Sequence, residues 1–501
     1  MQFLNKLYSG VKPVDLMFAV LLALFTVMHV LSWSEEPPSV DPVNFLLALD
    51  HYDVATDRPH PTGYPLFVGL GRATSFVVGK AHAYQLVNLF MLIGAGFCLY
   101  LLMRKLGRSE VGFASAALLM THPLSLAATV VPESYFSDAF FGCAIAAWIV
   151  INAHRPKILV TGITLIFLAL GLFRAASGVE LFPLALACAY VTTDKEHQYR
   201  RVFQVAVCAT TSIFTAYVLT VMLAGGYQIY SAAVARVMGA AVAGKSIFAG
   251  APIEAHLFML MRLFAWLLLI SLPTMIVIAF IWKSRQKDYW PADTLKMLQV
   301  AVFWVLPPLA IYSLFYFLKP TYLVILLPAL LVIFSWGVFF VFRSQGKPYA
   351  WGIISVVIGL QLGLFYGATK SWPMSLYQIS QAYFQEQDVA WAELRTAAIA
   401  ADGQRNLLVW IEHPTLSVYA LRLIPWSGKV ASLDSIHAFN IDNIDMKTLQ
   451  LQRIDPKTMR WSKAEKGIAN FKDFDQIFVV ANENGRPSFK SYNVETGNAV
   501  F

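Results

Sequence analysis

A chain of 501 residues that is 57% hydrophobic and only 14% charged is not an ordinary water-soluble domain, which would carry nearer a quarter charged residues. Its net charge of +8 does not point to nucleic acid. The basic residues stand in short clusters between apolar spans, where the positive-inside rule puts them, and no nucleic-acid module is present. The alternation of an outer-membrane barrel is absent, so the spans read as helices. Cys98, Cys143, Cys188 and Cys208 all fall in predicted spans. They predict neither a disulfide framework nor a metal site.

Apolar segments long enough to cross a ~30 Å hydrocarbon core fall near 14–33, 85–104, 110–130, 135–153, 158–173, 178–192, 202–224, 256–282, 297–317, 321–341 and 349–369. The first lacks a small-residue cleavage site and reads as a signal anchor. Lys6 and Lys12 precede it. Basic clusters then follow every even span: Arg104 and Lys105, Arg155 and Lys157, Arg200 and Arg201, Lys283 and Arg285, Arg343 and Lys347. That bias makes their face cytoplasmic, and eleven spans carry the C-terminus outside. The expected setting is a bacterial inner membrane, with the N-terminus cytoplasmic and the C-terminal domain periplasmic.

Two outer segments are long. In the first loop, Val43–Leu49 reads as a short amphipathic helix, and Tyr64–Val78 as a re-entrant or interfacial helix. Gly225–Ala255 is rich in Ala and Gly and reads as a mobile or interfacial loop carrying Arg236 and Lys245. The composition changes near Lys370. Ser380–Ala401 then reads as an amphipathic helix, Asn406–Glu412 and Gln476–Ala481 as buried strands, and Thr415–Leu423 and Lys457–Asn470 as helices. The expected fold is thus an α-helical polytopic membrane domain, 1–369, followed by a small α/β soluble domain, 370–501. In that domain Trp410, Glu412, His413 and Trp426 are candidates for acceptor contact, beside the plainer reading of core packing. No glycine-rich nucleotide motif follows a strand.

The first loop carries the most chemistry. Asp41 lies shortly after the first span, and the turn-rich His60–Leu66 (HPTGYPL) follows. Pro61 and Pro65 restrict the backbone around Gly63 and preform a loop. Asp41 near His60 and Tyr64 at the outer surface is a candidate general base for a hydroxyl acceptor. It also reads as the N-cap of the next helix, with Pro42 at the first helical position.

Asp41 with HPTGYPL resembles the first-loop signature of the GT-C membrane glycosyltransferases. The likeness is to the branch with Asp-Ser-x-Glu followed by His-Pro-Pro-Gly-Tyr-Pro-Leu, which includes protein O-mannosyltransferases. Asn44 stands here where that branch has Glu, and Thr62 where it has the second Pro. Val131–Ala139 (VPESYFSDA) is similar to the acidic second outer loop, Gly171–Ala175 (GLFRA) to a Gly-Leu-x-Arg element at an outer helix end, and Lys319–Pro328 (KPTYLVILLP) to a segment near the donor phosphate. The likeness covers about 1–345.

The resemblance implies transfer of a sugar from a polyprenyl-phosphate donor to a glycan, lipid or protein acceptor, usually with inversion. Asp41 is then the base. Arg174, Lys319, Tyr322, His60, Lys245 and Arg236 become candidates for the donor phosphate, and Tyr64, Glu133, Asp138 and Asp53 for sugar or acceptor. Snorkelling is the plainer reading for Lys319 and Arg174, a solvated loop charge for Arg236 and Lys245, and helix-dipole stabilisation for Glu133. No cofactor is expected. A divalent metal is compatible but not required, since Arg and Lys can stabilise a leaving monophosphate and the acids are sparse. Expected partners are the donor, the acceptor and membrane lipids, not nucleic acid. A transporter or flippase, which should show repeats and broken helices at the midplane, and a non-catalytic envelope-polysaccharide assembly protein are the alternatives.

Overall fold

In a computed structural model of the chain, residues 13–283 and 292–400 are described, together with six strand segments beyond them. The apolar runs form helices in the expected order. α1 is Pro13–Val30 and α2 is Val40–Asp50. α3 spans Pro65–Lys105, α4 Ser109–Thr121, α5 Pro123–Thr129 and α6 Phe136–Asn152. α7 is Pro156–Phe173, α8 Ala175–Thr192 and α9 Gln198–Leu223. α10 is Tyr227–Val242, α11 Ile253–Lys283, α12 Ala292–Leu314, α13 Leu327–Val341 and α14 Lys347–Gly367. A short α15, Met374–Tyr377, precedes α16, Gln381–Ala400.

Among the described residues, eight spans are long and apolar enough to cross a membrane. The bent pair α4–α5 supplies a ninth, and α1 and α6 are shorter apolar helices. The chain is therefore a multi-pass membrane protein. Pro320–Val341 is 78% buried while Lys347–Gly367 is 17% buried. α13 thus sits at the centre of the bundle, and α14 lies at its lipid-facing edge.

Local chemistry explains the breaks. The expected helix at 64–78 ends at a kink before the second span, and the 41 residues of α3 hold both helices. The joint is Gly79 at φ 78° and ψ 170°, a geometry that a Cβ would oppose. Between α4 and α5 the chain turns by 58°. His122 precedes Pro123 and is pushed out of the helical region to ψ 130°, and its ring accepts from Leu124 N–H at 3.2 Å. Buried hydroxyls in the bundle return their protons to the preceding turn, as in Thr121 to Ala117 O at 2.9 Å and Ser115 to Val111 O at 2.7 Å. Such bonds keep these two donors from being stranded in lipid, whereas Ser125, Ser212 and Ser335 Oγ have no partner among the described residues.

Gly225–Ala255 is not a loop. It forms α10 and a 3-10 turn at Ile247–Ala249. Its alanines are good helix formers, and Tyr230 and Ala233 pack on Val54 of the first loop.

The chain divides into two compact units, Met1–Trp33 with Tyr52–Ala382, and Ser34–His51 with Tyr383–Phe501. The second contains a sheet of β1 (Asn406–Trp410), β2 (Lys429–Leu433), β3 (Leu451–Ile454), β4 (Trp461–Ser462), β5 (Gln476–Glu483) and β6 (Arg486–Asn493). The strand order is β4-β3-β2-β1-β5-β6. β1 pairs in parallel with β2 and β5, and the remaining pairs are antiparallel. The apolar runs of β1 and β5 suit central strands. Of the expected helix over Lys457–Asn470 only Trp461 and Ser462 lie among the described residues, and these two form β4 instead, as Trp suits a strand. The expected helix at Thr415–Leu423 lies outside the described residues.

Also in the second unit, α2 is buried nearly all round rather than amphipathic. Val43, Asn44, Phe45 and Ala48 have at most 3% exposure, because its apolar residues encircle the axis. The residues before α2 are held by Asp388 of α16. Its carboxylate accepts from Ser34 Oγ at 2.7 Å, Glu36 N–H at 2.9 Å and Glu35 N–H at 3.1 Å. Burial raises the Asp388 pKa above the ordinary range, and these hydrogen bonds pull it back.

Candidate active site

At the ends of α6, α7 and α8 nearest the first loop, charge and aromatic rings are buried together. Arg174 alone separates α7 from α8, with extended backbone at φ −163° and ψ 100°. Its side chain has 5% exposure and pairs with Asp138, which has 1% exposure and lies in the first turn of α6. Asp138 also accepts from Ser177 Oγ at 2.5 Å. The Arg174 guanidinium lies 5.1 Å from the Tyr135 ring centre and 5.7 Å from that of Tyr322, within cation–π range. Snorkelling is thereby excluded for Arg174.

A second pair lies alongside. Lys319, which precedes the 3-10 segment Pro320–Leu326, donates from Nζ to Glu133 Oε1 at 2.6 Å. Its ammonium stands 5.5 Å from the Tyr135 ring centre. Tyr135 and Tyr322, with ring centres 4.8 Å apart, therefore join the two ion pairs. Glu133 is held by the backbone, since Asn88 Nδ2 donates to Glu133 O at 2.9 Å and to Val131 O at 3.0 Å. Glu133 precedes α6 by a short turn, so its partner is Lys319 and not the helix dipole. Tyr312 Oη adds a bond to Glu180 Oε2 at 3.2 Å.

Lys319 remains half-buried, with 31% of its side chain exposed. Another cation stands near it. Arg262 of α11 donates to Leu318 O at 3.4 Å. Lys245 lies in electrostatic range of Arg262, and burial followed by that like charge pushes its pKa down. Cations held together in this way suit an anionic ligand.

The HPTGYPL turn packs beside Arg174. Tyr64 is at φ 51° and ψ 44°, caps α3 ahead of Pro65, and lies in electrostatic range of Arg174. His60 Nε2 meets Tyr64 Oη at 3.0 Å. Phe67 sits 5.8 Å from Phe173, ring centre to ring centre. Gly63 is required at the bend: its φ is +103°, and a Cβ would come within 2.8 Å of both Thr220 Cγ2 and Tyr52 Oη. Gly63→Ala is expected to cost about 1–3 kcal/mol through overpacking. Thermal unfolding in detergent checks this, and an unchanged midpoint would refute the packing described.

Other candidates have local duties. Asp53 caps a 3-10 turn, accepting from Ala55 N–H at 3.0 Å and Thr56 Oγ1 at 2.8 Å. Arg236 is exposed, as expected, but stands on α10 rather than in a loop, and it pairs with Asp57 at 2.7 Å and donates to Ala55 O at 3.1 Å.

Asp41 belongs to the second unit. It is not the N-cap of α2: Ser39 takes that position, Val40 begins the helix, and Asp41 lies in its first turn. Pro42 therefore stands two residues further in than expected, at the third helical position, still within the first turn, where its missing N–H costs little. Asn44, one turn on from Asp41, is 3% exposed, and its side-chain oxygen has no hydrogen-bond partner among the described residues. An unpaired buried acceptor is costly and marks a place where a ligand donor would be favourable. Of Glu412, His413 and Trp426 nothing is described. Among the described residues no group of three His, Cys, Asp or Glu side chains could hold a metal ion.

The sequence alone does not single out Tyr135, Ser177, Glu180, Arg262 or Tyr312. Glu180 and Arg262 carried a signal, as charges inside apolar spans.

No sequence-family description matches the chain, and no curated protein sequence does. Its fold does match solved structures. Crystallised ArnT from Cupriavidus metallidurans, bound to undecaprenyl phosphate, superposes with a TM-score of 0.53 at 11% identity, over 81% of this chain and 84% of that one. The apo form gives 0.51 at 13% identity, over 83% and 85%. The Archaeoglobus fulgidus oligosaccharyltransferase is also similar, at 0.45 and 11% identity, over 81% and 63%. The described helices in their order thus form a polytopic membrane fold like that of ArnT.

Proposed function

We propose that this protein transfers a sugar from a polyprenyl-phosphate donor to a hydroxyl acceptor at the periplasmic face of a bacterial inner membrane, with inversion. The observation that carries the reading is the buried cation and tyrosine cluster around Lys319 and Arg174, beside the HPTGYPL turn, in a chain with the fold of ArnT. A structure of ArnT holds undecaprenyl phosphate. The basic clusters after the even spans support the orientation. Within the fold, Asp41 with HPTGYPL points to the O-mannosyltransferase-like branch, and both hexosyl and pentosyl donors suit the site.

In this reading Asp41 removes the proton of the acceptor hydroxyl. The oxygen then attacks the anomeric carbon from the face opposite the phosphate. The bond from that carbon to the phosphate oxygen breaks, and its electron pair leaves on the polyprenyl monophosphate. Lys319 and Lys245 stabilise the growing charge, a role for fixed donors in a water-poor site, so no metal is invoked. Arg174, fixed by Asp138, holds Tyr135 and Tyr322 against the donor. His60 and Tyr64 border the sugar.

Polyprenyl monophosphate, the expected product, tests the reading without a known acceptor. Its binding is expected to raise the unfolding temperature of the purified protein. Lys319→Gln and Lys245→Gln should each weaken affinity about tenfold or more, consistent with the ~1.5–3 kcal/mol of a hydrogen bond to a charged group. Equal affinity in all three proteins would reject the phosphate assignment.

A further inference from the structure

At the opposite ends of the helices that carry the candidate site lies a cavity of about 310 Å³. α6 begins at the site with Asp138 in its first turn, and α8 begins beside Arg174. Both end at this cavity, through Ala153 and Thr192. The walls are mostly aliphatic, with Cys188 of α8 and Trp304 of α12 at depth. Trp304 has 3% exposure, and its Nε1 donates to Ile325 O at 2.9 Å. Lys296 lines the mouth on the same helix, roughly 12 Å before Trp304 at 1.5 Å per residue.

Lys105, Arg108, His154 and Lys296 line the mouth, and among the described residues no Asp or Glu lines the cavity. Lys105 ends α3, Arg108 precedes α4, His154 follows α6 and Lys296 lies early in α12. The positive-inside rule asks only for Lys and Arg in the right loops. It does not ask three separate elements to bring Lys105, Arg108 and Lys296 to the rim of one apolar cleft.

From this juxtaposition we infer that the cavity binds an anionic glycerophospholipid. One acyl chain lies between α8 and α12, and the phosphate rests against Lys105, Arg108 and Lys296. Basic pockets between transmembrane helices suit anionic headgroups, each nearby Lys or Arg contributing favourably. A zwitterionic lipid would bring its own cation into the cationic rim, so the site discriminates by headgroup while the apolar wall accepts any tail. The inference stands apart from the sugar-transfer reading, because none of its residues belongs to that site.

Native mass spectrometry of the full chain in detergent tests it, using phosphatidylglycerol and phosphatidylcholine with identical acyl chains. Wild type is expected to retain one phosphatidylglycerol with at least about tenfold preference, from about three cations at the rim. Lys105→Gln, Arg108→Gln and Lys296→Gln combined should bring the preference close to one. Ala301→Phe, which fills the cleft, should abolish retention of both lipids. No preference in wild type, an unchanged preference in the triple variant, or unchanged retention in Ala301→Phe would each overturn the proposal. So would displacement of phosphatidylglycerol by equimolar polyprenyl phosphate, which would make the occupant the carrier lipid instead.

Discussion

Asp41→Asn is expected to lower turnover by roughly 10²–10⁴-fold, the contribution of a positioned general base, while donor affinity stays at the wild-type value. Asn keeps the size of the side chain but cannot accept the acceptor's proton. The fold should survive, because Ser39 and not Asp41 occupies the N-cap of α2. The loss therefore belongs to the chemical step, and it appears in kcat while the donor Kd is unmoved. Parallel measurement of donor binding and of sugar transfer, or of donor hydrolysis, checks both halves. Full turnover in Asp41→Asn would remove Asp41 from the mechanism. Lost binding with lost turnover would make it a donor contact.

The second large effect concerns the Arg174–Asp138 pair, which is buried on both sides. Arg174→Met alone leaves a carboxylate in the protein interior with Ser177 as its remaining strong partner, and should cost roughly 3–5 kcal/mol. Asp138→Leu alone strands a guanidinium between two tyrosine rings, at a similar cost. The double variant removes both charges and fills the space with apolar atoms, so most of the stability should return. Transfer should not return, because Tyr135 and Tyr322 lose the charge that fixes them. Unfolding midpoints of the four proteins in one detergent give the coupling directly. Additive losses would mean that the two residues do not act as a pair.

The membrane architecture was legible because hydropathy over some twenty residues is a coarse and robust signal. Breaks within spans were harder. A run that is apolar throughout does not reveal that the His122–Pro123 step turns the chain by 58°. Nor does it reveal that a single left-handed glycine joins the two halves of α3. The Ala- and Gly-rich stretch after α9 failed as a loop for a different reason. Its low hydropathy hid good helix propensity, and its partner, Val54, lies far away in sequence.

The site was legible as separate charges but not as partnerships. Arg174, Lys319, Glu133 and Asp138 stood out because charges near the membrane are costly and need a reason. Which acid each cation meets depends on how α6, α7, α8 and the segment at Pro320–Leu326 pack, and no local pattern encodes that. Tyr135 and Tyr312 were invisible for the same reason. Interfacial tyrosines are routine, and only their distance from a buried guanidinium or carboxylate gives them significance.

The most direct measurement is donor consumption by the purified wild-type protein, offered a panel of polyprenyl-phosphate sugars with candidate hydroxyl acceptors in the presence of a chelator. The account predicts release of polyprenyl monophosphate from at least one donor, with the sugar found inverted on an acceptor or on water. A folded protein that neither consumes any donor nor binds polyprenyl monophosphate would contradict it.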